Sequence, residues 1–443
     1  MHLVHVIQRY YPFLGGSERY FQAFCERFAA DGDVVEVVTT DAWDLEYFWD
    51  PRRRRVEDSP TEHKGVLIRR VPVEHLPVPS LTHRAIRRLM VESARWRVPG
   101  QMPLLRTAGR YGPWIPALGT TLRQGTNRPD LIHSANIAFE SMVAEAADQA
   151  RALGVPHVIT PFVHLGEGEE SRVRRYYTMP HQLRLLREAD AVMVLTGIEA
   201  EYLIGQGVPH ERLHVVGAGL NVEDVTGGDG LRIRERLGIA GPLVLSLGAA
   251  AFDKGTMHLV QAVTRLNRFG HEVAVVVAGP VLSEFQRFLE TLAPRDRRWV
   301  HPLGFVSEAE KRDLLAAADL LALPSRTESF GLVFLEAWAN GKPVIGACAG
   351  AVAAVIEDGA DGLLVPFGHV AALAEAIKIL ISDRDLSARF AARGRDKVID
   401  EATWYQRVRS VYRSVLGLGA EEMPTEVDYL LGTASSAPTA AKS

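Results

Sequence analysis

Short apolar runs and longer amphipathic stretches alternate along most of the chain. The runs at 2–7 and 34–39 are rich in valine and other apolar residues, which predicts buried strands of a parallel sheet. Between them, large apolar residues recur every three or four positions, as in a helix that packs on a sheet: Tyr20, Phe21, Phe24, Cys25 and Phe28. Similar alternation returns after 129 and is most regular after 242. Strands that alternate with helices predict an α/β protein with doubly wound parallel sheets.

Glycines divide this pattern into two halves. Gly227, Gly228 and Gly230 mark a flexible join between them. We therefore expect two Rossmann-like domains, one over 1–220 and one over 221–402.

Composition changes this picture mainly by exclusion. The chain has 443 residues, 47% hydrophobic and 23% charged, as expected for a globular protein of two domains. A net charge of −4 argues against a nucleic-acid partner. The two cysteines, Cys25 and Cys348, lie in apolar contexts that indicate a reduced compartment. With no secretory signal and no run of eighteen apolar residues, we expect a soluble, cytoplasmic protein. Small polar residues over 419–443 predict a disordered tail.

The alternation loosens between about 43 and 125, which predicts an irregular insertion in the first domain. It holds a basic run over Arg52–Arg55, and a second group of arginines among Trp96, Trp114 and several prolines: Arg87, Arg88, Arg95, Arg97, Arg106, Arg110 and Arg123. One interpretation is a solvated insertion. The other is a surface that docks the acceptor or makes peripheral contact with the inner face of a membrane, since basic and aromatic residues suit anionic headgroups. The sequence leaves both open, and it does not indicate an oligomeric state.

The candidate site lies between Pro324 and Pro343, where a strand end, a loop and a helix follow one another. Glu328 lies in the loop, and Glu336 is expected about two turns into the helix. A loop that opens a helix after a strand can bind an anion, because the first N–H groups are unpaired and the helix dipole is positive there. Carboxylates beside an anion site suit a ligand that also carries hydroxyl groups. A nucleotide sugar has both.

The sequence ESFGLVFLEAWANGKPVI, with its two glutamates separated by seven residues, closely resembles the signature of retaining glycosyltransferases of family four. The resemblance covers residues 1–416, weakly across 43–125. It implies the GT-B fold, in which two Rossmann-like domains with parallel sheets face each other across an interdomain cleft. It also implies that a helix over 403–418 crosses back to the N-terminal domain.

The resemblance implies roles for several residues of this stretch. Glu336 would bind the ribose of the nucleotide and Glu328 the sugar hydroxyls. The loop backbone would meet sugar and phosphate at Ser329, Phe330, Gly331 and Leu332.

In the N-terminal half, PFLGGSE resembles the glycine loop of the family, so Gly15 and Gly16 would lie against the donor phosphates and the acceptor. The glycines also allow unusual backbone dihedrals, and Ser17 is the expected N-cap of the next helix. His164, in TPFVH, aligns with a family histidine near the sugar and is the candidate acceptor-side catalytic residue.

Lys254 is the candidate cation for the donor diphosphate. It closes the loop after the strand PLVLSLG, where open sheets bind ligands. The family pattern is Gly-Arg-Leu, three variable residues, then Lys-Gly. This chain has Gly248 as its first glycine but Ala249 in place of the arginine. Because no aspartate cluster suggests a metal site, we expect fixed cations and helix N-termini to stabilise the departing diphosphate, with no metal and no other cofactor.

The resemblance therefore implies a metal-independent retaining glycosyltransferase. It would move a hexose-type sugar from a nucleotide diphosphate donor to a hydroxyl acceptor, which could be a glycan, a lipid or a small metabolite. Ala249 motivates an alternative, a GT-B protein that binds nucleotide sugars without catalysis. A Rossmann dehydrogenase is a third and weaker interpretation, because QRYYPFLGG follows the first strand instead of GxGxxG.

Overall fold

The computed structural model of the protein describes residues 1–13, 15–57, 61–96, 100–124, 127–168 and 171–419, without the side chain of Trp96. The chain forms two compact units. The first contains Met1–Val163, Arg172–Gly217 and the described residues from Trp404 to Gly419, and the second contains His164–Ser171 and Ala218–Thr403. The tail expected over 419–443 lies, apart from Gly419, outside the described residues.

The first unit is built on a sheet of eight strands. They are β1 (His2–Val6), β2 (Val34–Thr40), β3 (Glu62–His63), β4 (Val66–Val71), β5 (Leu131–Ala135), β6 (His157–Thr160), β7 (Ala191–Val194) and β8 (Leu213–Val215). Their order is β3-β4-β2-β1-β5-β6-β7-β8, and every neighbouring pair is parallel except β3 with β4.

Among the described residues up to Gly217, seven α-helices accompany this sheet. They are α1 (Gly16–Ala30), α2 (Pro79–Trp96), α3 (Gln101–Gly109), α4 (Leu118–Arg123), α5 (Glu140–Leu153), α6 (Pro180–Glu188) and α7 (Gly197–Gly205). In α1, Phe21, Phe24 and Phe28 are fully buried, as their spacing predicts.

Within its described residues, the region from 43 to 125 contains regular strands and helices, so the prediction of an irregular insertion is wrong there. β4 pairs with β2 over six residues, and α2 runs for 18 residues. The apolar signal of β4 is interrupted by two arginines whose side chains have partners nearby. Arg69 pairs with Glu36 on β2, and Arg70 donates to the carbonyl oxygen of Thr40 at 3.2 Å. A strand that carries such contacts does not read as an apolar run.

The second unit has eight strands. They are β9 (Gly219–Leu220), β10 (Leu243–Leu247), β11 (Ala274–Ala278), β12 (Val300–Gly304), β13 (Leu320–Leu323), β14 (Val344–Ala347), β15 (Gly362–Val365) and β16 (Ile399–Asp400). Six of them form a parallel sheet in the order β12-β11-β10-β13-β14-β15, and β9 pairs with β16.

Ten helices lie in the second unit. They are α8 (Val222–Val225), α9 (Gly230–Leu237), α10 (Thr256–Arg268), α11 (Ser283–Glu290), α12 (Pro294–Arg297), α13 (Glu308–Ala317), α14 (Leu332–Ala339), α15 (Val352–Val355), α16 (Val370–Ser382) and α17 (Arg384–Asp396). Across both units, none of the helices in the described ranges has the length and apolar character that crossing a membrane would require.

Chain order and sheet order diverge between β10 and β13. From β10 the chain continues outward through β11 to β12, then crosses back so that β13 pairs with the other side of β10. The loops that follow β10 and β13 therefore leave the same edge of the sheet at a topological switch point. This is where open α/β sheets bind ligands.

Gly228 and Gly230 pack closely against α13, which the predicted flexible join does not account for. A Cβ on Gly228 would lie 2.2 Å from the backbone of Arg312 on α13. The next residue, Asp229, donates its backbone N–H to Asp313 at 2.7 Å. The glycine is therefore needed because the backbone packs closely against a helix.

The terminal helix α18 (Glu401–Val415) belongs to the first unit from Trp404 onward. Its Tyr412 hydroxyl lies 3.0 Å from Nε2 of His5 on β1 and 2.6 Å from Nδ1 of His133 on β5. Burial lowers the pKa of His5 to about 3 and the pKa of His133 well below its usual range, so both rings are neutral at pH 7. His133 is thus a structural residue of this buried network.

Candidate active site

Two adjacent ion pairs join the loops that follow β10 and β13. The Lys254 ammonium lies 2.6 Å from Oε1 of Glu328 and 3.0 Å from the carbonyl oxygen of Thr327. One residue earlier, Asp253 accepts from the Arg326 guanidinium at 2.6 Å. About 25% of the Lys254 side chain and 15% of the Glu328 side chain are exposed. Both charges are therefore accessible to a ligand that enters at this edge.

Gly255 allows the two loops to approach each other. It precedes α10 with φ at +72°, a conformation that favours glycine. A Cβ at this position would lie 2.2 Å from the carbonyl oxygen of Pro324. The Lys254-Gly255 pair therefore combines a functional side chain with the backbone freedom that places it.

The loop after β13 ends at Gly331, with φ at +93°, and α14 begins at Leu332. Glu336 is thus the fifth residue of the helix, just over one turn in and not two as predicted. Phe330 is buried and anchors the loop. No side chain caps α14 at Gly331, so its first N–H groups are available to an anion.

Glu336 is buried and only half satisfied. The residue is 6% exposed, and its Oε1 accepts from the Lys311 ammonium at 2.8 Å. Within the described residues, the other oxygen, Oε2, is buried without a hydrogen-bond partner. Buried polar atoms rarely remain unsatisfied, because each lost hydrogen bond costs about 1–3 kcal/mol. An acceptor held ready in this way fits a ligand hydroxyl.

The sequence motif did not identify Lys311. It lies on α13, 7% exposed, and also pairs with Glu308 at 3.2 Å. A signal was present in the chain: Lys311 precedes Leu314 and Leu315 by three and four residues, so it lies on the apolar face of its helix. A lysine on a buried face requires a counter-ion, and here that counter-ion is Glu336.

Ala249 supplies no charge at the position where an arginine is usual. Arg326 is a second cation in this site, next to the Lys254 pair through its contact with Asp253. Its guanidinium lies 5.4 Å from the ring centre of Phe252, 4.7 Å from that of Phe367 and 3.9 Å from a carboxylate oxygen of Glu167. Aromatic and acidic neighbours therefore hold a second cation beside the first.

His164 lies in the short segment that belongs to the second unit, and it is partly buried. Burial and the positive charge of Lys254 lower the pKa of His164 to about 3, so the ring is neutral at pH 7. Gly248, at the end of β10, has φ at +136°, and its backbone N–H donates to Ala278 at 2.9 Å. Both residues thus belong to the same unit as Lys254.

Gly15 and Gly16 lie in the first unit, and their dihedrals differ from the expectation. Gly15 is extended, with φ at −90°, and is itself the N-cap of α1, which begins at Gly16. Ser17 is therefore not the cap. A Cβ on Gly15 would lie 2.3 Å from Oε2 of Glu18, a buried carboxylate that pairs with Arg9 at 3.0 Å. Close packing explains this glycine, and backbone strain does not.

The second unit thus brings together most of the predicted residues. Lys254 contacts Glu328 directly, Glu336 lies eight residues further along the same loop and helix, and Ser329 to Leu332 connect them. In the described part of the chain, no three His, Cys, Asp or Glu side chains are grouped as metal ligands would be.

Comparison with known proteins gives two family matches. Residues 232–397 match the model described as glycosyl transferases group 1, and residues 15–219 match the glycosyl transferase 4-like domain. A D-inositol 3-phosphate glycosyltransferase of Xylanimonas cellulosilytica is 34% identical over 227 residues, which are 48% of this chain and 53% of that protein. The alpha-D-kanosaminyltransferase of Streptomyces kanamyceticus is 30% identical over 213 residues, 46% of this chain and 55% of that protein. The chain thus spans about half the length of these curated relatives.

Solved structures share the architecture. A crystal structure of Anabaena HepE in complex with UDP superposes with a TM-score of 0.68 at 20% identity, covering 94% of this chain and 100% of that one. A sucrose-phosphate synthase from Thermosynechococcus elongatus superposes with a TM-score of 0.67 at 20% identity, covering 95% and 100%. At this level of identity the likeness shows the fold.

Proposed function

Because the chain belongs to the group 1 glycosyltransferases of family four and has their GT-B fold, we propose that it transfers a hexose-type sugar from a nucleotide diphosphate donor to a hydroxyl acceptor. The observation that carries this proposal is the buried carboxylate of Glu336, whose Oε2 lacks a hydrogen-bond partner among the described residues. A ribose hydroxyl would satisfy it. No other described carboxylate of the β13–α14 stretch is held in this way.

The diphosphate would bind between Lys254 and the N-terminus of α14. Its arrival changes the balance at the Lys254–Glu328 pair, since the ammonium gains a doubly charged partner and releases Glu328. The freed carboxylate then accepts from sugar hydroxyls, as vicinal hydroxyls suit its two oxygens. Lys254 and Glu328, which form an ion pair at 2.6 Å in this structure, would then bind the diphosphate and the sugar of the donor, respectively.

Transfer would proceed with retention and without a metal. The bond from C1 of the sugar to the phosphate oxygen breaks, and its electron pair leaves with the diphosphate. The acceptor oxygen bonds to C1 on the same face, and the acceptor proton goes to the departing phosphate. Lys254, Arg326 and the first N–H groups of α14 stabilise the developing charge. Neutral His164 would lie on the acceptor side and orient the sugar by hydrogen bonding.

Calorimetric titration with UDP-, GDP- and ADP-sugars in a chelator tests the donor site. HepE was crystallised with UDP and with UDP-glucose, so UDP-glucose is the first donor to try. We expect Lys254→Ala and Glu336→Gln each to weaken binding by tenfold or more, since each removes a charge-assisted contact. Lys378→Ala, an exposed lysine on α16 paired with Glu375, is the matched control. If all variants bind like the parent, or if no nucleotide sugar binds, the site is assigned wrongly.

A non-catalytic nucleotide-sugar-binding protein is the second candidate, and Ala249 is the observation that favours it. The two candidates differ in turnover. Release of the nucleoside diphosphate from a bound donor, measured with and without glycan, lipid and small-molecule acceptors, supports the transferase. Tight binding with no release above the rate of the Lys254→Ala variant supports the binding protein.

A further inference from the structure

Charge is distributed very unevenly along this chain. The segment 77–124 contains one acidic residue, Glu92, and no lysine, and it has eight arginines: Arg84, Arg87, Arg88, Arg95, Arg97, Arg106, Arg110 and Arg123. Its formal charge is therefore +7, whereas the whole chain carries −4, which leaves −11 for the remainder. A basic segment in an acidic protein creates a local field that the average charge conceals.

α2 presents part of this charge on a face that also carries exposed leucines. Leu81 is 60% exposed and Leu89 is 52% exposed, and Arg84 and Arg88 are exposed between them. These positions follow one another at intervals of three, four and one, so they lie on one side of the helix. The opposite side packs inward through Met90.

α3 packs on the buried side of α2. Leu105 of α3 and Met90 of α2 share a buried cluster, which joins the two helices. On α3, the exposed Leu104 lies about 200° around the helix from the exposed Arg106, so these two residues do not share one side. We therefore name the surface of α2 formed by Leu81, Arg84, Arg88 and Leu89 the basic apolar face.

Arginines of this face lack the neutralising partners that the other basic run has. Within the described residues, Arg84 and Arg88 have no carboxylate within ion-pairing distance. In the run at 52–55, by contrast, the Arg52 and Arg53 side chains pair with Asp50 at 2.8 and 3.6 Å, and Arg54 has an acidic partner at 2.8 Å. The earlier run is thus an ordinary solvated surface, whereas the basic apolar face keeps its charge available.

We propose that the basic apolar face docks on a bilayer that contains anionic lipids. Arginine heads meet the lipid phosphates, and leucines at the same level enter the boundary between headgroups and acyl chains. The charge of −11 on the remainder of the chain is repelled by the same bilayer, so attraction and repulsion together select this face for contact. A nucleic acid would contact the arginines, but its charged backbone would not bury the two exposed leucines beside them.

Flotation of the full chain with vesicles tests the proposal. We expect binding to vesicles of phosphatidylglycerol and phosphatidylcholine, falling steeply with salt, and little binding to phosphatidylcholine alone. Arg84→Ser with Arg88→Ser should weaken partitioning about 25-fold, because each arginine contributes about fivefold, equivalent to about 1 kcal/mol. Leu81→Ser with Leu89→Ser should weaken it at least tenfold. These residues are exposed, so the variants keep the thermal midpoint of the parent.

The matched control is Arg389→Ser with Arg393→Ser, two exposed arginines on α17 that change the net charge equally. It should bind vesicles as the parent does. Equal binding to neutral and anionic vesicles, or equal losses in the control and the arginine variant, would overturn the proposal. So would a DNA duplex that binds as tightly as anionic vesicles and is insensitive to the leucine variant, since the face would then be a polyanion site. None of these outcomes depends on sugar transfer.

Discussion

Replacing Lys311 with methionine would leave the buried carboxylate of Glu336 without its counter-ion. At 2.8 Å and an effective dielectric constant of about 20, the attraction between the two charges is about 6 kcal/mol. Desolvation of both groups offsets part of it. When one charge of such a pair is removed, the other stays buried without a partner and its desolvation is no longer offset. We therefore expect Lys311→Met to lower the free energy of unfolding by about 3–5 kcal/mol.

A second substitution separates stability from function. Lys311→Met with Glu336→Met removes both charges, so urea denaturation should show most of the stability restored. Calorimetry should nevertheless show that both variants lose nucleotide-sugar affinity, because the single variant lacks the charge that holds Glu336 in place and the double variant has no carboxylate at this position. Lys378→Met provides the control: its exposed pair with Glu375 should contribute less than about 0.5 kcal/mol.

Two results would refute this reasoning. If Lys311→Met unfolds at the same urea concentration as the parent, the Lys311–Glu336 pair contributes little to stability, and its burial does not shield it from solvent. If Lys311→Met binds the donor with the affinity of the parent, Glu336 does not depend on Lys311 for its charge or its position.

Three further predictions follow from the geometry. Gly255→Ala should lower the free energy of unfolding by more than about 2 kcal/mol, because the added Cβ would overlap the carbonyl oxygen of Pro324. Gly270→Ala, also at positive φ but facing open space, should lower it by only about 1–2 kcal/mol. Equal losses in urea denaturation would show that this overlap does not matter. Ala249→Arg should raise kcat/KM about 10- to 100-fold in a transfer assay, and no change would mean that the diphosphate already has its cations. The free energy of unfolding should fall as pH falls from 6.5 toward 3, by up to about 1.4 kcal/mol per pH unit for each of His5 and His133. Burial lowers the pKa of both rings, so each takes up a proton when the protein unfolds. A slope that His5→Gln leaves unchanged in urea titrations would contradict this.

Sequence pattern predicted the elements that are regular in the chain and missed those that depend on partners elsewhere. β10 and α1 follow an apolar run and a helical stripe, so their prediction needed no tertiary information. β4 was missed because the partners that explain Arg69 and Arg70 lie on β2, which is distant from them in the sequence. The start of α14 at Leu332 was also missed, since the turn at Gly331 can be recognised only from its dihedrals.

The candidate site shows the same division. Lys254, Glu328 and Glu336 are found by motif because they lie on two short stretches of chain. Their pairing is not, since the Lys254–Glu328 contact spans 74 residues and the Lys311–Glu336 contact spans 25. Local spacing identified the charged residues, and only the fold shows which charge faces which.

The position of Tyr412 on the last helix constrains the order in which the two units can finish folding during translation. The first unit needs α18 to cover His5 and His133, yet the ribosome adds α18 only after it has made nearly all of the second unit. Until then, His5, His133 and the Phe28 ring that stacks on Tyr412 lack the cover of α18 in the nascent first unit. The sheet from β10 to β15 is contiguous in sequence and can fold as it emerges. The half of the protein that is translated first is thus the half that is finished last.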